Sequence, residues 1–427
     1  MKADNDIEKV LKDSTCTFID NMSLPVHRWF RYPAGFSASW VEDVIKYYSS
    51  DIENKDTYIV LDPFAGSGTT LLAAEQMGVQ GIGYESHPLV AKVARAKLLS
   101  RTDILEFKTF AYNIIRQAKT VNGSTQGYPD IVYKCYNDEN LLKLDCLKRA
   151  LHELNDNSDQ YKLSWMAFIS ILRCSSHAGT ASWQYVLPNK TKTKVADAFE
   201  AYERQIELMC FDMEEKHNIS TYYPSKLFEH DARLEFTELE NKVDLVITSP
   251  PYANNYDYAD ATRLELSVLG EIKGWGDLQT SIRTNLVRSC SQMVSKEKKK
   301  TFDFLKDPLL SPIYDEILDV CIRLDQEKEL HGGKKNYHTM IALYFLDLAN
   351  VWVSLRKACK DGANICFVIG DSAPYGIYVP VDEWLGRLAV SAGFKSYYFE
   401  KMRDRNVKWK NRKHRVPLKE GRLWVRG

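Results

Sequence analysis

Between positions 58 and 100, and again beyond 222, short apolar runs rich in β-branched residues alternate with longer stretches of helical periodicity. Residues 58–61 and 81–84 read as buried strands too short to be helices, with a helix over 71–77 between them. Val243, Leu245, Val246 and Ile247 form a further buried strand, and 365–369 another. Helices are predicted over 41–48, capped by Ser37 or Ser39, over 339–357, and over 381–392 with Gly393 as its C-cap. Residues 394–400 and 422–426 read as a terminal antiparallel pair. Such alternation predicts an α/β fold around a largely parallel sheet. Residues 101–221 break it. There Leu141, Leu144, Leu151 and Leu154, and then Phe199, Tyr202, Ile206 and Met209, recur at the spacing of amphipathic helices. The expected organisation is one catalytic-type domain from 1–100 and 222–427, a helical insertion over 101–221, and a second, irregular insertion over 270–338.

Two strand ends carry candidate chemistry. The strand over 243–247 runs into Thr248, Ser249, Pro250, Pro251 and Tyr252. Neither proline can donate to a ladder and both fix φ, so a rigid loop leaves the carboxyl end of a strand, where open α/β sheets bind ligands. Ser249 Oγ and the Pro250 carbonyl are two acceptors beside the flat face of Tyr252, a set suited to a planar ring bearing an exocyclic NH2. A plain proline stop after a strand has the same letters. The strand over 58–61 runs into D-P-F-A-G-S-G-T-T at 62–70. Gly66 and Gly68 permit a tight turn and close backbone approach, and Thr69 and Thr70 open a helix whose N–H groups point back into the loop. Glu85 follows Asp62 by 23 positions. A glycine loop, a helix N-terminus and an acid about twenty residues on form an adenosine-binding pattern, with the acid on the ribose hydroxyls. The G-x-G lacks a third glycine, which disfavours NAD.

Charge narrows the picture little, because lysine plus arginine equals aspartate plus glutamate at 57 each; any case for nucleic acid rests on where the charge sits. The nine cysteines form no C-x-x-C and no zinc-type spacing, a pattern of reduced thiols. His331 and His338 lack further ligands at suitable spacing, so no metal is expected. Residues 1–20 are polar, without a secretory apolar core, and no apolar run approaches the ~20 residues of a membrane helix. The expectation is a cytoplasmic protein with no membrane partner.

The two loops, D-P-F-A-G-S-G-T-T at 62–70 and T-S-P-P-Y at 248–252, resemble the S-adenosylmethionine-dependent DNA amino-methyltransferases of bacterial restriction–modification systems. H-R-W-F-R-Y-P-A-G-F-S at 27–37 resembles the family's N-terminal motif, which closes over the methionine part of the cofactor. H-D-A-R at 230–233 is similar to the segment after the third strand, whose acid (Asp231 here) meets the adenine amino group. N-N-Y-D-Y-A-D at 254–260 and I-C-F-V-I-G-D at 365–371 also resemble family segments. The likeness covers about 20–100 and 222–427 and is weak over 101–221. It implies a Rossmann-like seven-stranded methyltransferase sheet with a C-terminal antiparallel strand and a mainly helical insertion. It implies S-adenosyl-L-methionine held by Tyr32, Phe36, Asp62, Pro63, Phe64, Gly66, Gly68, Thr69, Thr70, Glu85, Asp231 and Ala232. Ser249, Pro250, Pro251 and Tyr252 would hold the base. None of the 14 prolines precedes a cysteine, so the covalent C5-cytosine route lacks its nucleophile. In this class serine at the first motif position leans toward N4 of cytosine; N6 of adenine, or an RNA amine, would use the same pocket. The implied partners are double-stranded DNA, with the target base flipped out, and a cognate restriction endonuclease, in a bacterial or phage-infected cell.

Candidate DNA contacts are Asn254 beside the S-P-P-Y loop, Arg173 and Lys190 in the basic, aromatic stretch 173–194, and the basic connection 401–415. Arg403, Arg405, Lys408, Trp409 and Arg412 in that connection have the composition of a backbone clamp. Each stretch reads also as a solvated charged face, as does the lysine run 296–300 in the second insertion.

Overall fold

The computed structural model describes residues 18–32, 35–181, 185–254, 256–405 and 416–427. Its strands, in chain order, are β1 (Ile59–Asp62), β2 (Gln80–Glu85), β3 (Ala178–Thr180), β4 (Val186–Thr191), β5 (Lys226–Glu229), β6 (Val243–Thr248), β7 (Cys359–Gly370), β8 (Ser396–Arg405) and β9 (Leu418–Arg426). Seven of them form one sheet in the order β5-β2-β1-β6-β7-β9-β8. β5, β2, β1, β6 and β7 run parallel, and β9 runs antiparallel to both β7 and β8. This is the α/β, seven-stranded arrangement expected. The terminal pair is longer than the letters suggested, because charged residues of Ser396–Arg405 continue a ladder whose other face is open.

Successive residues of the strands enter different cores. Leu61, Val246, Ile365 and Phe367 face one apolar layer with the helix Tyr337–Ala358. Val60, Leu245, Ile247, Cys366 and Val368 face another, with the helix Ala38–Tyr48. Burial on both faces explains why these strands read as near-continuous apolar runs. Ser37 caps Ala38–Tyr48, accepting from Trp40 N. The helix Tyr337–Ala358, expected over 339–357, is long and apolar enough by composition to cross a membrane, which corrects the expectation that no apolar run approaches that length; 83% of its apolar window is buried in the sheet's core.

Residues 101–221 build a third core. Helices Ile104–Ala118, Asp138–Glu153, Asp159–Ile171 and Ala198–His217 pack their apolar stripes together, and Val26, Trp29, Phe30 and Tyr32 of the N-terminal segment join them. Asp212, fully buried, fastens that segment: it accepts from Val26 N at 2.9 Å and Trp29 Nε1 at 2.9 Å and pairs with Arg28 at 2.5 Å. The insertion is not wholly helical, since 173–194 contains the β3–β4 hairpin. Much of the second insertion is core as well, with Ile272, Leu278, Ile282, Val294, Leu305 and Leu324 buried in the layer under the sheet.

Candidate functional site

The chain order fixes where a ligand can go. From β1 the strands step outward through β2 to β5, then return to β6 on the other side of β1. The crevice between the carboxyl ends of β1 and β6 is therefore the switch point of the sheet. Both candidate loops leave from those ends, because Val60 and Leu61 pair with Leu245 and Val246.

Asp62 joins them. Its carboxylate, 2% exposed, accepts from Thr248 Oγ1 at 2.6 Å, Thr70 Oγ1 at 2.7 Å and Phe64 N at 3.0 Å. Thr70 Oγ1 also lies 3.2 Å from the Ile247 carbonyl. Burial raises the Asp62 pKa to about 6 despite these donors. Asp62 thus clips the glycine loop to the base loop across 186 positions of sequence. Pro63, Thr69 and Thr70 are buried around it.

One pocket brings both loops together. Tyr32, Phe64, Gly66, Glu85, Ser86 and His87 line it together with Ser249, Pro251 and Tyr258, and with Leu286 and Val287 of the second insertion. Gly66 has φ 52° and Gly68 φ 89°, conformations that favour glycine. A β-carbon at 66 would lie 3.3 Å from the Tyr32 ring, so ring and loop already close on each other. Glu85 accepts from Gly66 N and from His87 N, each at 2.8 Å. Burial lifts its pKa to about 7 against the pull of those N–H groups. Burial also pushes His87 down to about 4; its Nε2 meets Thr262 Oγ1 at 2.9 Å, while Nδ1 is buried without a hydrogen-bond partner among the described residues.

In the base loop, Ser249 Oγ donates to the Val368 carbonyl at 3.1 Å. The Tyr252 side chain is a further hydrogen-bond partner of Ser249. Tyr252 is half-buried, and the Arg405 guanidinium lies over its ring, 5.2 Å from the centroid.

Other expected site residues lie elsewhere. Phe36 packs edge-on to Trp40 at 5.8 Å, in the layer on the far side of β1, because it precedes the helix that covers that face. Ala232 is buried in the core, and Asp231 is gripped by Arg233, Nη2 to carboxylate 2.6 Å. Neither lines the pocket. Arg173, drawn from sequence as a DNA reader, instead pairs at 2.6 Å with the buried Glu265 and donates to the Ala261 carbonyl. Arg405 donates to the Asp371 carbonyl at 2.9 Å besides covering Tyr252, so it too faces inward. Arg403 pairs with Glu420 on the hairpin surface, and Lys190 is exposed on β4. Asn254 has φ 56° and its N–H donates to the Ser289 carbonyl. Lys408, Trp409 and Arg412 lie outside the described residues. His331 stacks on Tyr375 at 4.3 Å, and His338 is buried 3.4 Å from Asp325.

Sequence reasoning missed Ser86, His87, Tyr258, Leu286 and Val287. The first two follow the acid directly and were open to discovery there. Leu286 and Val287 carry no local signal, being an apolar pair inside an irregular stretch.

A profile of the DNA methylase family that includes N6 and N4 enzymes matches residues 3–96. Over 418 residues the chain is 27% identical to the type II methyltransferase M.AvaI of Nostoc sp., covering 91% of this chain and 83% of that protein. It is 26% identical over 423 residues to M.BsoBI of Geobacillus stearothermophilus, covering 88% and 80%. The resemblance to DNA amino-methyltransferases therefore stands. A third relative, M.HindIII of Haemophilus influenzae, is 50% identical, but over 48 residues only, 11% of this chain. The likeness to M.AvaI and M.BsoBI is thus broad, extending through the helical insertion where the motifs alone are weak.

Proposed function

We propose that the protein transfers a methyl group from S-adenosyl-L-methionine to the exocyclic N4 of a cytosine flipped out of double-stranded DNA. The observation that carries this reading is that Gly66 and Glu85 line the same pocket as Ser249 and Pro251. The residues fit the cofactor: a loop with Gly66 and Gly68 at positive φ, a carboxylate with lone pairs left for ribose hydroxyls, and a His87 Nδ1 without a partner among the described residues. Bound there, S-adenosylmethionine supplies an electrophilic methyl on sulfur. The chain's own work is positioning. Ser249 Oγ, its hydrogen held by Val368, and the Pro250 carbonyl accept the two amine hydrogens, aiming the nitrogen lone pair and drawing it out of the ring plane. Tyr252 offers a stacking face, worth about 1–3 kcal/mol, against the few kcal/mol that unstacking costs. Lys190, Arg403 and the basic residues Lys408 and Arg412 supply phosphate contacts. A cognate restriction endonuclease would be its functional partner.

Expression in a host that lacks DNA methylation, followed by single-molecule sequencing, tests the proposal. The expected result is N4-methylcytosine at one short sequence. Methyl groups on adenine alone would replace the base assignment, and labelled methyl transfer to RNA but not duplex DNA would replace the substrate.

A further inference from the structure

We propose that residues 283–288, in the second insertion, form a strap that closes the adenosyl side of the pocket, with Leu286 and Val287 touching the cofactor. This rests on the function proposed above. Leu286 and Val287 line the same pocket as Gly66, Glu85, Ser86 and His87, the residues expected to meet the nucleoside, and as Ser249 and Pro251 of the base loop. Both are buried although they lie in irregular backbone between a short helical turn and the next segment.

The strap is fastened at both ends. Arg283, 5% exposed, pairs with Asp257 at 2.6 Å, and Asp257 belongs to the turn that follows the base loop. Arg288 grips Asp347 of the helix Tyr337–Ala358 through Nη2, through Nε at 2.9 Å and through its own backbone N at 2.9 Å. Asp347 is 1% exposed and also lies 3.3 Å from Arg233 Nη1. Arg233 in turn holds Asp231 by two parallel bonds and reaches the strap's Thr284 carbonyl at 3.3 Å. The chain Asp231–Arg233–Asp347–Arg288 therefore links the segment after β5 to the strap by charge-assisted bonds, several of them bidentate and so directional. Leu286 and Val287 also belong to the apolar layer under the sheet, so the strap presents to the pocket two side chains that the core already holds in place.

The test is binding of S-adenosylhomocysteine to the full-length protein, by calorimetry for affinity and stopped-flow for dissociation, in wild type, Arg288→Ala, Arg288→Lys and Val287→Ser. Arg288→Ala and Val287→Ser are expected to weaken binding about tenfold, mostly through faster dissociation. Arg288→Lys, which keeps the charge but loses the fork, falls between. Affinity for duplex DNA stays within about twofold of wild type. Val287→Ser touches neither fastening, so the test survives if Arg288→Ala does not fold. Dissociation unchanged in Val287→Ser, with wild type binding normally, overturns the strap. Wild type that fails to bind S-adenosylhomocysteine overturns the function on which it rests.

Discussion

At the scale of single residues, Ser249 and Glu85 have distinct jobs. Ser249 Oγ donates to the Val368 carbonyl, and in the proposed function it accepts from the base amine, so Ser249→Ala removes that acceptor. Its kcat should fall about a hundredfold or more with cofactor affinity little changed, measured by labelled methyl transfer under saturating DNA. Glu85 titrates near the assay range. Only the carboxylate accepts hydrogen bonds from both ribose hydroxyls, and the acid form dominates below about pH 7. Affinity for S-adenosylhomocysteine should therefore fall about tenfold from pH 8 to pH 6, while Glu85→Gln binds weakly at both. For stability the sign is opposite. The folded pKa lies above the ordinary 4.5, so Glu85's contribution is fully present below about 4.5 and is lost as pH rises through about 7. Asp62 shows where sequence reading reached its limit. The letter is the one expected at that loop, but the three bonds that make it a clip come from Thr248, Thr70 and Phe64, and the first of these is distant in sequence.

At the scale of elements, the N-terminal segment belongs to two places at once. Tyr32 lines the pocket, while Val26, Arg28 and Trp29 just before it are bolted to the helix Ala198–His217 through Asp212. Asp212→Ala should lower stability by about 3 kcal/mol in denaturant titration and also weaken cofactor binding. Most of that loss comes from the two buried N–H donors left without an acceptor, because Arg28 is a quarter exposed and its pairing is partly screened. The periodicity of Phe199, Tyr202, Ile206 and Met209 made this helix legible. Its polar partner on the N-terminal segment was not, since a lone aspartate on a helix gives no sign of what it faces. The same limit applies to Arg173. Its basic neighbours suggested a DNA contact, but Glu265, whose burial turns the arginine inward, lies 92 positions away.

At the scale of the molecule, the ligand crevice is set by strand order, and strand order was readable only in part. Apolar runs marked β1, β2, β6 and β7, and glycine and proline punctuation marked the two loops that leave β1 and β6. The pocket's third wall comes from the 270–338 insertion, which lacks any repeat of the strand–helix pattern and folds into the main core. A ligand bound at the junction of loops, strap and N-terminal segment should stabilise the whole. S-adenosylhomocysteine at a hundred times its dissociation constant is expected to add about 2.7 kcal/mol to the free energy of unfolding, and no shift in the melting midpoint would contradict binding to the native fold. The sheet's last-made strand has a consequence for how such an enzyme is born. β9 slots between β7 and β8, and Arg405 of β8 is what backs the Tyr252 ring. A nascent chain still lacking residues 418–426 has an open edge on β7 and nothing for β8 to hold, so the base-facing aromatic has no support. A chain that ends before residue 418 is expected to lack the Arg405 backing of the Tyr252 ring, which forms only when β9 pairs with β8.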